Sequence, residues 1–263
     1  MRVLVTGASR GIGLELVRQH ARRGDEVRAT CRDPAGARDL QALAAASQGR
    51  VQVSRLDVAD PASIESAAAA QPGPLDLLWS NAAVYPGSPG TPVAEGPLGT
   101  LRAGDGLSIL ATNTVGPILI AQAFLRFLLR GDRPCLAAVS SGYGSLALNE
   151  GTPYWYGASK AALNMLHRSL AFDPVARGLL VLVISPGWAR TDMGGLRAPT
   201  AVEDAVSGMM RVVLEAAPDR SGTFVDWKGR PVPWCREPGR SVPCSGWVRV
   251  HPALLLSLKL GFC

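Results

Sequence analysis

Thr6-Gly7-Ala8-Ser9-Arg10-Gly11-Ile12-Gly13 decides the fold. Before it, residues 2–6 form a short apolar run of strand length. After it, Ile12, Leu16, Val17, His20 and Ala21 recur at helical spacing over residues 12–23. A strand running through glycines into a helix gives a tight turn, and it lets backbone N–H groups approach a pyrophosphate at the helix N-terminus. Outward from this turn the alternation continues. Strands are predicted at 27–31, 51–56, 75–80, 136–140, 179–185 and 222–226, with helices at 35–47, 61–71, 107–129, 155–172 and 201–216. Strands alternating with helices imply right-handed crossovers and a mostly parallel sheet covered on both faces. The expected fold class is α/β, a single doubly wound domain with seven strands. Pro86 to Gly106, rich in Gly and Pro, reads as a surface excursion.

Composition agrees. The chain has 263 residues, 47% hydrophobic and 18% charged, which excludes a disordered or collagenous chain. The formal net charge is +6, and half of it falls within 235–263, where Arg236, Arg240, Arg249 and Lys259 face only Glu237. The rest of the chain shows no basic stripe, so nucleic-acid binding is not expected. Five cysteines without a CxxC, and three scattered histidines, give no metal site and point to a reducing, cytoplasmic compartment. No run of about 18 apolar residues is present, so no membrane span is expected. The first residues enter a strand at once, so no signal peptide is expected.

Further motifs follow the strands in order. Ser80-Asn81-Ala82-Ala83 ends the fourth, Asn113 lies in the helix after it, and Ser140-Ser141 end the fifth. Tyr156-Gly157-Ala158-Ser159-Lys160 is a Tyr-x-x-x-Lys run, and Pro186-Gly187-Trp188-Ala189-Arg190-Thr191-Asp192-Met193 follows the sixth strand. Together these resemble the short-chain dehydrogenase/reductase family from Met1 to about Trp234. Within it, residues 29–34, 186–195 and the run from Asp226-Trp227 to Pro233-Trp234 are most similar to the sniffer-like carbonyl reductases and C-factor-type proteins. Ala83 stands where the family usually has glycine. The spacing from Ser141 to Tyr156 is also longer than the family's, as a loop insertion around Leu148 to Pro153 would make it.

The chemistry can be argued from the residues. Tyr156 and Lys160, four apart, share one helix face. A phenol of pKa about 10 exchanges protons poorly at neutral pH. A nearby ammonium and an oxidised nicotinamide ring would lower it. Tyr156 then gives a proton to a carbonyl oxygen as hydride reaches the carbon, and Ser141 hydrogen-bonds that oxygen, with Ser140 as second candidate. The resemblance implies that Asn113 holds a water against Lys160 and that Lys160 contacts the cofactor ribose. For the cofactor, the loop supplies Gly7, Ser9, Arg10, Gly11, Ile12 and Gly13. At the end of the second strand Cys31 is neutral where a carboxylate would select NAD, and Arg32 follows. With Arg10 it suits the 2′-phosphate of NADP(H). Asp33, before Pro34, reads as a cap for the next helix. Asp57 and Val58 either meet the adenine or form a turn before Asp60-Pro61. By resemblance, Asn81, Ala82, Pro186, Gly187 and Thr191 also line the cofactor site. Tyr143, Trp155, Trp188 and Met193 suggest an apolar pocket for a carbonyl substrate, and Trp155 also fits plain helix packing.

The expected activity is therefore NADPH-dependent reduction of a small hydrophobic ketone, aldehyde or quinone. The alternative is an NADP-binding signalling or regulatory protein with little turnover. The resemblance also implies a homo-oligomer, dimer or tetramer. The catalytic and cofactor sites are expected in one domain, 1–234, with 235–263 an atypical, disordered extension.

Overall fold

A computed structural model of the chain describes residues 1–88, 95–151 and 153–235. The expected extension lies outside the described residues apart from Cys235. Seven strands form one parallel sheet: β1 Arg2–Thr6, β2 Glu26–Cys31, β3 Val51–Arg55, β4 Leu77–Ser80, β5 Cys135–Val139, β6 Leu180–Ser185 and β7 Thr223–Asp226. Their spatial order is β3-β2-β1-β4-β5-β6-β7. The order reverses between β1 and β4. That switch point opens a crevice beyond the carboxyl ends of the two strands, where a ligand binds in such sheets.

The strands are apolar on both faces, as burial from both sides requires. Val3, Val5, Leu77, Trp79, Ala137 and Ile184 face helices α1 Gly11–Arg22, α2 Arg38–Ala46 and α7 Val202–Glu215. Leu4, Leu78, Leu136, Ala138 and Val181 alternate with them and face α3 Pro61–Ala69, α5 Gly116–Leu128 and the end of α6 Tyr154–Phe172. Trp79 and Phe124 are fully buried. A side chain of this kind contributes about 1.5–3 kcal/mol on burial. The Trp79 indole N–H donates to His20 Nε2 at 2.9 Å, so the ring proton sits on Nδ1, which donates to Asp25 at 2.7 Å.

The helix expected over 107–129 is longer and interrupted. It starts as α4, Ala103–Leu110, widens into a π turn at Ala111–Val115, and resumes as α5. The whole stretch Ala103–Leu128 is apolar enough, by length and composition, to cross a membrane. Here it is a core helix, with Ile120, Phe124 and Leu128 packed on the sheet. Asp33 does not cap α2, whose N-cap is Ala37. Its carboxylate instead accepts from Gly36 N at 3.1 Å, closing the turn before the helix.

Candidate active site

The glycine loop is held from below by β1 and β4. Thr6 Oγ1 accepts from the backbone N–H of Asn81 at 3.0 Å and of Ala82 at 3.1 Å. The Asn81 carboxamide donates back to the carbonyls of Thr6 and Gly7 at 2.9 and 3.2 Å. Two glycines are obligatory. Gly7 has φ +67° and a side chain there would meet Ala82 Cα at 2.7 Å; one on Gly13 would meet the Gly7 carbonyl at 2.1 Å. The loop opens into a cleft of about 330 Å³. Its walls are residues 7–13 (without Ala8), Cys31 and Arg32 after β2, Asp57 and Val58 after β3, Asn81 and Ala82 after β4, and Pro186 and Thr191 after β6. A larger cleft, about 1100 Å³, lies at the amino ends of the strands, but there Arg2 and Asp76 satisfy each other at 2.6 Å.

Tyr156 and Lys160 reach the inner wall of the smaller cleft from α6. Lys160 is buried, donates to the Val139 carbonyl at 2.9 Å and lies 5.7 Å from the Tyr156 ring centre. Burial lowers its pKa to about 7. Burial pushes the Tyr156 phenol well above its ordinary value; a hydrogen bond with Ser141 offsets part of this, and Tyr85 and Tyr143 add to the rise. The lowering expected from Lys160 is therefore not seen: loss of water dominates, and only the Ser141 hydrogen bond acts against it. Ser141 beside the phenol and Ser140 differ in role. Ser140 is buried and bound to Asn164 Oδ1 at 2.5 Å, while Ser141 Oγ accepts from Tyr143 N at 3.2 Å.

Asn113 sits in the π turn, a helical irregularity frequent at functional sites. Its side chain is bonded to protein on both polar atoms. Oδ1 accepts from Val84 N at 2.8 Å, and Nδ2 donates to the Val84 carbonyl at 2.9 Å and to Ser159 Oγ at 3.1 Å. It fixes the loop after β4 against α6. That loop carries Tyr85, whose ring meets Tyr156 edge-on at 4.8 Å. Sequence reasoning missed Tyr85, since nothing local marks a contact between that loop and a distant helix.

Residues 1–201 match the short chain dehydrogenase family profile. The chain belongs to the short-chain dehydrogenase family. It is 40% identical to the C-signal of Myxococcus xanthus over 163 residues, 62% of this chain and 94% of that one. Among solved structures it is similar to the NADPH-bound carbonyl reductase from chicken fatty liver, with 33% identity and a TM-score of 0.80 over 89% of this chain and 98% of that one. The carbonyl reductase Sniffer of D. melanogaster gives 27% and 0.79, over 89% and 99%.

In this short-chain dehydrogenase Ala83, in the glycine position, lines the cleft without a positive φ, so the larger residue adds no backbone strain. Asp57 does two things. Oδ1 accepts from Ala59 N at 3.1 Å in a turn, while the residue also faces the cleft. Ser141, Asn113 and Tyr143 stand around Tyr156 and α6 without lining the cleft, and three further expected residues lie elsewhere. Gly187 turns at φ +70° against the Trp227 indole. Trp155 lays its ring on Gly106 of α4 and is packing, not pocket wall. Trp188 is 57% exposed, its indole N–H donating to the Gly194 carbonyl at 2.7 Å. Met193 lines the cleft, and Tyr143, half-exposed, stands 6.1 Å from the Tyr156 ring.

Proposed function

We propose that this short-chain dehydrogenase is an NADPH-dependent reductase of small hydrophobic ketones, aldehydes or quinones. The observation that carries the reading is the convergence of Tyr156 and Lys160 on a cleft floored by the glycine loop, with Ser141 hydrogen-bonded to the Tyr156 phenol. The cradle around Gly7 and Gly13, which no side chain could enter, fits a pyrophosphate. Asp57 and Val58 would meet the adenine, and Arg10 and Arg32 the 2′-phosphate, beside a neutral Cys31. Asp33, engaged with Gly36, does not compete for the ribose. Both NADPH-bound chicken reductase and the family membership support this choice.

NADPH, when bound, supplies the hydride. Tyr156 supplies the proton to the carbonyl oxygen, and its burial keeps it a phenol until that moment. Ser141 donates to the same oxygen and stabilises the charge that develops on it. Lys160, buried beside the Tyr156 ring and poised near neutral pH, would return a proton to Tyr156. Asn113 contributes by position, holding Val84 and hence Tyr85 against the phenol. Met193 in the cleft wall and Tyr143 against the Tyr156 ring would favour apolar substrates.

The likeness to the C-signal supports a second reading, a cofactor-binding signalling protein with little turnover. NADPH oxidation against a panel of aryl ketones, aldehydes and quinones separates the two. We expect turnover by the wild type, and Tyr156→Phe to fall below a tenth of it while binding NADPH unchanged. Tight NADPH binding without turnover of any member would favour the signalling reading.

A further inference from the structure

Helix α6 begins at Tyr154, so Tyr156 is the third residue of its first turn. The first N–H groups of a helix have no partner within it and need one from outside. A local cap is missing here. Pro153, at the N-cap position, is extended at φ −83° and ψ 141° and offers no side-chain acceptor. The partner comes from another part of the chain. Glu95 lies in the segment leading to α4, and its Oε1 accepts from the backbone N–H of Tyr154 and, at 3.1 Å, from that of Trp155. Its Oε2 accepts from Tyr156 N at 3.4 Å. One half-buried carboxylate therefore serves three successive N–H groups, the last on the proton donor itself.

The arrangement is more than a helix cap. A carboxylate at a helix N-terminus is favoured by the helix dipole, so the attraction is directional and pulls the segment and the helix together. Tyr156 has Tyr85 on one side and Tyr143 on another. Its phenol must meet a substrate oxygen within hydrogen-bond reach, and a misplacement of about 1 Å can cost about a hundredfold in rate. The rings of Tyr85 and Tyr143 bear on its side chain, whereas Glu95 acts on its backbone and so on the direction from which the phenol leaves the helix. We propose that Glu95 is a positioning residue for the reductase reaction, holding the first turn of α6 so that the Tyr156 hydroxyl stands where the carbonyl oxygen arrives. The inference rests on the reductase reading above.

The experiment compares wild type, Glu95→Ala, Glu95→Gln and the double variant Glu95→Ala/Pro153→Asp in the full chain. Asp at an extended N-cap position is a strong local cap, so the double variant restores the acceptor without restoring Glu95. Two quantities are read: amide hydrogen exchange at residues 154–156, and kcat, KM and NADPH Kd with the carbonyl giving the fastest wild-type turnover. Glu95→Ala is expected to speed exchange at these amides and lower kcat about tenfold, with NADPH Kd within twofold of wild type. Glu95→Gln, which keeps one acceptor oxygen, should fall between, and the double variant should recover most of kcat. Unchanged exchange in Glu95→Ala overturns the proposal, as does unchanged kcat or a double variant that recovers exchange protection without kcat. A wild type that binds NADPH and reduces nothing defeats the reductase reading instead, and the exchange measurement then decides the cap by itself.

Discussion

Lys160 shows how one buried charge couples binding to pH. Among the described residues its ammonium has a single protein acceptor, the Val139 carbonyl, and burial brings its pKa from 10.5 to about 7. Above that value the amine is neutral, and an anionic ligand in the cleft must recruit a proton to restore the favourable pair. NADPH affinity should therefore weaken as pH rises through about 7, by up to about tenfold per pH unit, since one unit corresponds to about 1.4 kcal/mol. Fluorescence titration between pH 6 and 9 measures it, and Lys160→Met should bind more weakly with a flat profile. A flat wild-type profile would show that Lys160 does not feel the cofactor. At this scale the pairing of Tyr156 with Lys160 was legible, because two residues four apart on a helix must share a face. The acidity of Tyr156 was not, because it depends on how completely Tyr85 and Tyr143 exclude water around it.

Each strand could be read as a short apolar run between turn residues, and the structure shifts its ends by at most two residues. Helices were legible in position but not in their irregularities. Ala-Thr-Asn-Thr-Val at 111–115 continues the apolar period of its neighbours, and the π turn arises from Asn113 bonding across to Val84 and Ser159. The segment before α4 was read as a plain surface excursion because Glu95 has no local partner; its partners are the first amides of α6. The glycine loop is the clearest case of an element written directly in sequence, and it allows a sharp test. Gly13→Ala would place Cβ 2.1 Å from the Gly7 carbonyl and 2.6 Å from Asn81 Nδ2, neither of which can retreat without releasing β1 from β4. We expect at least a hundredfold loss of NADPH affinity and a lower melting temperature. Gly104→Ala, in α4 with nothing within 4 Å, is the control and should leave NADPH affinity unchanged and the melting temperature no lower than wild type. Equal binding by Gly13→Ala would mean that the loop relaxes around the methyl group.

Over the whole molecule, stability against acid turns on a buried histidine that the reaction does not use. His167, on the face of α6 turned into the fold, is fully buried; its Nδ1 donates to the Leu163 carbonyl at 2.9 Å, and Nε2 has no protein partner among the described residues. Burial lowers its pKa from 6.5 to about 4; the hydrogen bond to the Leu163 carbonyl offsets part of this, and the Lys160 charge adds a smaller lowering. The folded pKa lies below the unfolded one, so the unfolded chain takes up its proton first as pH falls. The stabilising contribution is complete above pH 6.5 and is lost progressively down to about pH 4. At about 1.4 kcal/mol per pKa unit, the loss is on the order of 3 kcal/mol. Because α6 packs along the sheet, that loss is expected in the cooperative unfolding of the domain and not in a local opening. For a chain of this size it corresponds to a melting temperature lower by roughly 6–12 °C. Calorimetry at pH 7 and pH 4.5 compares wild type with His167→Met, whose side chain cannot titrate and fills a similar volume. The acidic carboxylates contribute equally to both proteins, so the difference between the two slopes isolates the histidine. His167→Met should lose less melting temperature on acidification than the wild type, even if it is less stable at pH 7. Parallel slopes would mean that His167 takes its proton without unfolding, which would require an acceptor reaching Nε2 inside the folded domain.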